Sequence, residues 1–292
     1  MDILYSIDEG YIRQFYTSVY SLFTNSSRED FNIYVLQKGT LSQNEEIEQF
    51  ITALGGQYIP VSIKDADFKD APITDRYPES IYYRLLAQDY LPESLERIHY
   101  LDADTLIIND ICQMEAIDVS DYLYAGCSMS TLVDIKAPFN RVRLQASDLK
   151  RYFNSGVLIM NLKRIRQEVS RADIFAYIES FAPLLILPDQ DVLNALYPTE
   201  ILEIPDDIYN FDSRNVRLYE LLSDGVKDMD WVMAHTVIIH FCGKAVRNKP
   251  WHKRSQNNFT SLYKFYWQQA YRYLMSLTTE SVTSRQIEEF IP

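Results

Sequence analysis

The first hundred residues alternate between short apolar runs and segments with helical spacing, and this rhythm constrains the fold more than any other feature. Ile3 to Ile7 reads as a strand, and Tyr11 to Phe23 carries apolar residues at helical spacing. Phe31 to Leu36 reads as a second strand. Ser42 with Glu45 forms a capping box that opens a helix ending at Gly55-Gly56. Tyr58 to Val61 is a third strand, and Ser80 to Tyr90 a helix carrying Arg84, closed by Pro92. Arg97 to Leu101 is a fourth strand that stops at Asp102. Strands that alternate with helices form a mostly parallel sheet with helices on both faces. Such sheets bind ligands at the carboxyl ends of their strands. Further on, Leu123 to Cys127, Val157 to Leu162 and Val237 to Phe241 read as strands. Asp191 to Leu196 and Asn257 to Leu277 read as helices. The expected organisation is an α/β domain over residues 1–251 and a small helical C-terminal extension over 252–292.

Bulk properties narrow the function. The 292 residues are 47% apolar and 24% charged, as in an ordinary globular chain. No run of about 18 apolar residues reads as a membrane span. The N-terminus lacks the basic, apolar and small-residue order of a signal peptide, so a cytoplasmic location is expected. Cys112, Cys127 and Cys242 are far apart and form no CxxC pair, which predicts free thiols. The net charge of −13 speaks against a nucleic-acid partner. Against that background, Phe241 to Tyr273 holds seven Lys or Arg, nine aromatics and no Asp or Glu. An anionic partner is the direct explanation: phosphate near the start of the stretch, and an anionic surface near its end.

Four motifs carry chemistry. In Leu101-Asp102-Ala103-Asp104, two carboxylates at i and i+2 leave a strand together and can converge on one ion. Their hard oxygens suit Mg²⁺ or Mn²⁺, and such an ion can neutralise a departing diphosphate. Apolar residues on both sides of the pair make its burial costly without a partner. His240 ends a strand in Ile239-His240-Phe241-Cys242-Gly243-Lys244 and can add an imidazole nitrogen, which favours Mn²⁺ over Mg²⁺. Gly243 lets backbone approach a phosphate, and Lys244 or Lys249 can hold its charge. Asn154, in Phe153-Asn154-Ser155-Gly156-Val157, can present its amide to sugar hydroxyls. In Leu187-Pro188-Asp189-Gln190-Asp191, Asp189 suits a helix N-cap. His99, His235 and His252 read as ordinary structural histidines.

In this order, the motifs resemble those of glycosyltransferase family 8, over about residues 1–251. The N-terminal Ser6-Ile7-Asp8 and the helical Tyr82-Tyr83-Arg84-Leu85 add to the likeness. The resemblance implies a GT-A (Rossmann-like) fold, a UDP-sugar donor and a Mn²⁺ ion. It implies that Asp8 contacts the uracil with Ser6 beside it, and that Tyr11 stacks on the base. Asp102, Asp104 and His240 would hold the metal, with Ala103 between the two carboxylates at the donor. Gly243 and Lys249 would contact the diphosphate, while Arg84, Asn154, Asp189 and Gln190 hold the sugar. The sequence departs from the family pattern at two places. Three extra residues separate Gly243 from Lys249, so that Lys249, Lys244 or Arg247 fills the phosphate role. Gly10 stands where some relatives carry Asn.

The implied reaction is retaining transfer of a hexose, galactose before glucose, to a glycan, glycolipid or glycoprotein acceptor. The resemblance puts Gln190 in the place where a covalent route needs a carboxylate, and an amide is a poor nucleophile. Attack from the leaving-group face is therefore expected, with Asp189 orienting hydroxyls and Asp191 as a reserve nucleophile. Competing readings of the same residues are a UDP-sugar hydrolase, a nucleotidyltransferase, or a non-catalytic sugar-nucleotide or glycan-binding module. For residues 252–292 two readings stand. The aromatics pack on the domain or meet the acceptor, or the basic-aromatic helix lies on the inner membrane face.

Overall fold

A computed structural model describes residues 1–64, 68, 79–128 and 133–277. Ten strands are present among them: β1 (Asp2–Ser6), β2 (Asn32–Lys38), β3 (Gln57–Ile63), β4 (Arg97–Leu101), β5 (Thr105–Ile107), β6 (Tyr124–Ser128), β7 (Phe153–Asn161), β8 (Ile201–Glu203), β9 (Phe211–Asp212) and β10 (Ile238–His240). Seven form one sheet in the order β3-β2-β1-β4-β7-β6-β8, and β5-β10-β9 form a second, small sheet. Strands β3, β2, β1 and β4 run parallel. Strand β7 is antiparallel to both of its neighbours, β4 and β6. This mixed, largely parallel sheet flanked by helices is the expected α/β architecture.

The sheet is buried on both faces, and side-chain alternation shows it. Ile3 and Tyr5 of β1, Leu101 of β4, and Val157 and Ile159 of β7 lie in one core. Leu4, Ile98, Tyr100, Leu158 and Met160, the residues between them, lie in the other. Helices α1 (Ile12–Asn25) and α2 (Asn44–Ala53) supply Phe15, Val19, Ile47 and Phe50 to the first core. The next four helices are α3 (Val133–Arg143), α4 (Leu162–Glu168), α5 (Arg171–Phe181) and α6 (Pro188–Leu196). The last three of these close the second core through Ile165, Ile174 and Val192. Spacing alone does not reveal α3, α4 and α5.

Three local expectations need correction. Ser42 does not cap α2: its N–H and Oγ both go to the Glu9 carboxylate at 2.7 Å, and the position before the helix makes no side-chain cap. The other end behaves as expected, since Gly55 takes φ +99 and the Gly56 N–H closes on Ile51 O. The Arg84 segment, Glu79–Asp89, is a run of 3₁₀ turns kinked at Leu86 rather than an α-helix. Asp189 is not the N-cap of α6 either. The helix begins at Pro188, which suits a first-turn position, and Asp189 turns its carboxylate elsewhere.

The C-terminal helix Thr260–Leu277 packs on α1 and α2. Tyr273 donates to Ala53 O at 2.7 Å and meets Phe50 edge-on, while Tyr266 and Asn25 bond through their side chains. Tyr263 is buried, Tyr266, Trp267, Tyr271 and Tyr273 are half-buried, and Phe265 is exposed. Residues 278–292 of the expected extension lie outside the described residues. No helix among those described is long and apolar enough to cross a membrane. All three cysteines are free, as expected.

Candidate active site

The carboxyl end of β4 delivers Asp102 into an open cavity of about 710 Å³. Because β7 runs antiparallel to β4, its first residues lie beside that end, and the Asp102 N–H donates to Gly156 O at 2.7 Å. Thr105 closes the turn, its Oγ1 donating to Asp102 O. The chain then enters β5, which pairs with β10 so that His240 stands opposite Thr105. The Phe241 N–H reaches Asp104 O at 3.0 Å. Two strand ends and one tight turn therefore set three side chains side by side.

Ligand atoms of Asp102, Asp104 and His240 all lie within 4.8 Å of one another. The His240 Nε2 is 3.1 Å from Asp104 Oδ1 and 3.7 Å from Asp102 Oδ2. Its Nδ1 faces Asn210 Oδ1 at 2.8 Å, which leaves Nε2 for the carboxylates. Two hard oxygens and one imidazole nitrogen, with the ring held from behind, fit a divalent Mn²⁺ or Mg²⁺ ion.

Cations surround these carboxylates. The Lys249 Nζ sits 2.6 Å from Asp104 Oδ2 and 2.6 Å from Phe241 O. The three extra residues before it are taken up in a 3₁₀ turn, Val246–Asn248, so Lys249 reaches the cavity in spite of them. Lys244 also lines the cavity, whereas Arg247 is exposed and does not. Arg84 is buried, with Nη2 2.9 Å from Asp102 Oδ1, Nε 3.2 Å from Asp189 Oδ2 and Nη1 donating to Ser155 O. Its guanidinium lies over the Tyr100 ring, and Tyr100 donates to Asp102. Burial pushes the Asp104 carboxyl up, but Lys249 and His240 hold it well below the usual carboxylate range. Burial raises Asp189, and the nearby Arg84 offsets this in part.

The remaining expected residues divide in two. Ser6, Asp8, Tyr11, Ala103, Asn154, Asp189, Gln190 and Gly243 all line the cavity. Asp8 accepts from the Gly10 N–H, and Tyr11 is 40% exposed where it lines the cavity. Asp191 does not line the cavity. It is fully buried and held by Arg143, Tyr152 and the N–H groups of Ile186 and Leu187. Asn210, Tyr100 and Gly156 are contributors that the sequence reading did not assign. Asn210 belongs to no motif, and only tertiary pairing of β9 with β10 brings it to His240.

The model of glycosyl transferase family 8 matches residues 2–255. The chain belongs to that family. Among curated members and relatives, general stress protein A of Bacillus subtilis (strain 168) is 26% identical over 282 residues, covering 91% of this chain and 92% of that protein. A lipopolysaccharide 1,2-glucosyltransferase of Escherichia coli is 27% identical over 267 residues, covering 86% of this chain and 73% of the other. Lipopolysaccharide 1,3-galactosyltransferase of Salmonella typhimurium is 24% identical over 257 residues, covering 86% and 73%. The solved structure of the galactosyltransferase LgtC with donor and acceptor sugar analogues has a TM-score of 0.75 at 21% identity, covering 98% of this family 8 chain and 100% of that one. The shared fold is GT-A.

Proposed function

We propose that this glycosyltransferase moves a hexose from a UDP-sugar to a hydroxyl of a glycan, glycolipid or glycoprotein, with retention of configuration. Mn²⁺ is the metal of choice, with Mg²⁺ as the substitute. Galactose is the first donor to test and glucose the second, since relatives of both kinds exist. The observation that carries this reading is the convergence of Asp102, Asp104 and His240 beside Lys249 in the cavity. When bound there, the ion supplies positive charge to the diphosphate.

The chain's own residues do the rest. Tyr11 and Asp8 hold the base at the end of β1, with Ser6 beside them. Lys249 adds a buried positive charge for the phosphate that departs, with Lys244 nearer the mouth and Gly243, at φ +85, allowing backbone approach. Arg84 and Ser155 fix the Asp189 carboxylate, which orients hydroxyls of the sugar. No step is asked of Asp191: its contacts make it a brace for α6 and the preceding loop. With Asp191 outside the cavity and Asp189 bound by Arg84 and Ser155, the observations support attack from the leaving-group face. The departing phosphate oxygen then takes the acceptor's proton. The helix Thr260–Leu277 acts as a brace, its Tyr263 packing on Phe241 and Trp251 behind Lys249.

UDP release from a panel of UDP-hexoses, with Mn²⁺ and then with EDTA, tests this reading. Metal-dependent release from one donor, accelerated by a glycan acceptor and lost in Asp102→Ala, is the expected result. A covalent glycosyl adduct on the enzyme, trapped with a slow donor, would refute same-face attack.

A further inference from the structure

Three side-chain amides connect the metal ligand His240 to the sugar side of the cavity. Nδ1 of His240 faces Asn210 Oδ1 at 2.8 Å, Asn210 Nδ2 faces Asn154 Oδ1 at 2.9 Å, and Asn154 Nδ2 faces Gln190 Oε1 at 3.1 Å. An amide can be turned over without changing its shape, so oxygen and nitrogen in such a row need an independent anchor. The anchor here is backbone. The Gly156 N–H points at the same Asn154 atom at 2.9 Å, and a peptide N–H is only ever a donor. That atom of Asn154 is therefore its oxygen.

Everything else in the row follows from that one assignment. Asn210 must present its NH₂ to the Asn154 oxygen, so its own oxygen faces His240. Nδ1 of His240 must then carry a hydrogen, which leaves Nε2 as the nitrogen offered to Asp102, Asp104 and an ion. In the other direction, Asn154 turns its NH₂ toward Gln190, and Gln190 answers with its carbonyl oxygen. The hydrogen bond the Gln190 side chain makes among the described residues is this one, through its carbonyl oxygen, and Gln190 lines the cavity.

We infer that Asn210 is a positioning residue, and that the Gly156 N–H, through Asn154 and Asn210, fixes two polarities at once. His240 is held with Nε2 as its metal-facing nitrogen, and Gln190 is held with its NH₂, not its carbonyl, toward the reacting sugars. The wall of the cavity at Gln190 is thus a hydrogen-bond donor. It can hold a hydroxyl oxygen of donor or acceptor, and it offers no oxygen with which to attack carbon. This rests on the metal-dependent transfer proposed above and adds the direction of each hydrogen bond.

Two experiments read the two ends of the row. The first counts free Mn²⁺ by electron paramagnetic resonance with UDP present. Loss of a group behind a ligating histidine typically costs 10–100-fold in metal affinity. Asn210→Leu should therefore weaken Mn²⁺ binding by about tenfold or more. Asn210→Asp still accepts from Nδ1 but repels the Asn154 oxygen, so it should keep Mn²⁺ affinity within about threefold and lower kcat instead. Unchanged Mn²⁺ affinity in Asn210→Leu, or wild-type kcat in Asn210→Asp, overturns the role of Asn210. If wild type itself binds no Mn²⁺, the metal-dependent reading fails before the inference is reached.

The second experiment follows Gln190→Glu across pH, normalised to wild type. A carboxylate presents only acceptors to the cavity, whereas a protonated carboxyl can donate as the amide does. The ratio of variant to wild-type kcat should rise at least tenfold as pH falls through the titration of the introduced carboxyl. A ratio that is flat or falls overturns the assignment of the NH₂ to the cavity.

Discussion

Gly156 and His240 approach so closely that a methyl group on the glycine would lie 2.3 Å from His240 Cε1 and 2.5 Å from Asp102 Oδ2. Strand β7 therefore needs glycine where it passes behind the three convergent side chains. A side chain here displaces His240 and Asp102 rather than a flexible surface group. Gly156→Ala should lower transferase activity at least 100-fold, because a misplacement of about 1 Å carries a cost of that order. Stability should fall by a smaller margin, about 1–3 kcal/mol for overpacking. Activity and urea denaturation of the same preparation check both.

Arg84 joins Asp102 and Asp189 and is itself buried, so its removal leaves carboxylates without their cation. Breaking a buried ion pair from one side costs about 3–5 kcal/mol. Arg84→Met should approach that loss in urea titrations. Arg84→Lys, which lacks the planar fork that spans Asp102, Asp189 and Ser155 O, should recover only part of it.

Much of this arrangement is legible in the sequence because strand ends carry their own punctuation. Apolar runs that stop at Asp102 and at His240 place those residues at the carboxyl ends of strands, and the Asp-x-Asp spacing points to an ion. The amide row is not legible in the same way. Asn210 is an unremarkable Asn before Phe211, and it acquires meaning only when β9 pairs with β10. The capping-box reading of Ser42 failed for a related reason: Glu9, distant in sequence, offers both carboxylate oxygens and outcompetes the local cap. Asp189 likewise forgoes capping because Arg84 and Ser155 are stronger partners.

Stability at acid pH should depend on His99. Burial, with Arg97 beside it, pushes this histidine down to about 3. The unfolded chain takes up its proton near pH 6.5, the folded protein only near pH 3. Between those values the unfolded state binds more protons, so stability falls as pH drops. The contribution is present above pH 6.5 and is lost toward pH 3, at most roughly 5 kcal/mol. Unfolding free energy measured from pH 7 to pH 4 should fall less steeply in His99→Gln than in wild type.

Tyr263 is buried beneath Phe241 and Trp251, and the Lys249 ammonium lies over the Trp251 ring at 5.0 Å. Tyr263→Ala should cost about 3–5 kcal/mol, as for other large aromatic truncations in a core. At temperatures where the variant remains folded, UDP affinity should fall as well, since the support behind Lys249 is gone. Calorimetric UDP titration at 10 °C and at 25 °C would separate the two effects.

The most direct test of the central claim is calorimetric titration of UDP into the protein with Mn²⁺ and with EDTA. Binding that is at least tenfold tighter with Mn²⁺, and that loses this gain in Asp104→Ala, is the predicted result. UDP affinity indifferent to Mn²⁺, or a Mn²⁺ gain that survives Asp104→Ala, would contradict the assignment of Asp102, Asp104 and His240 as the metal and diphosphate site.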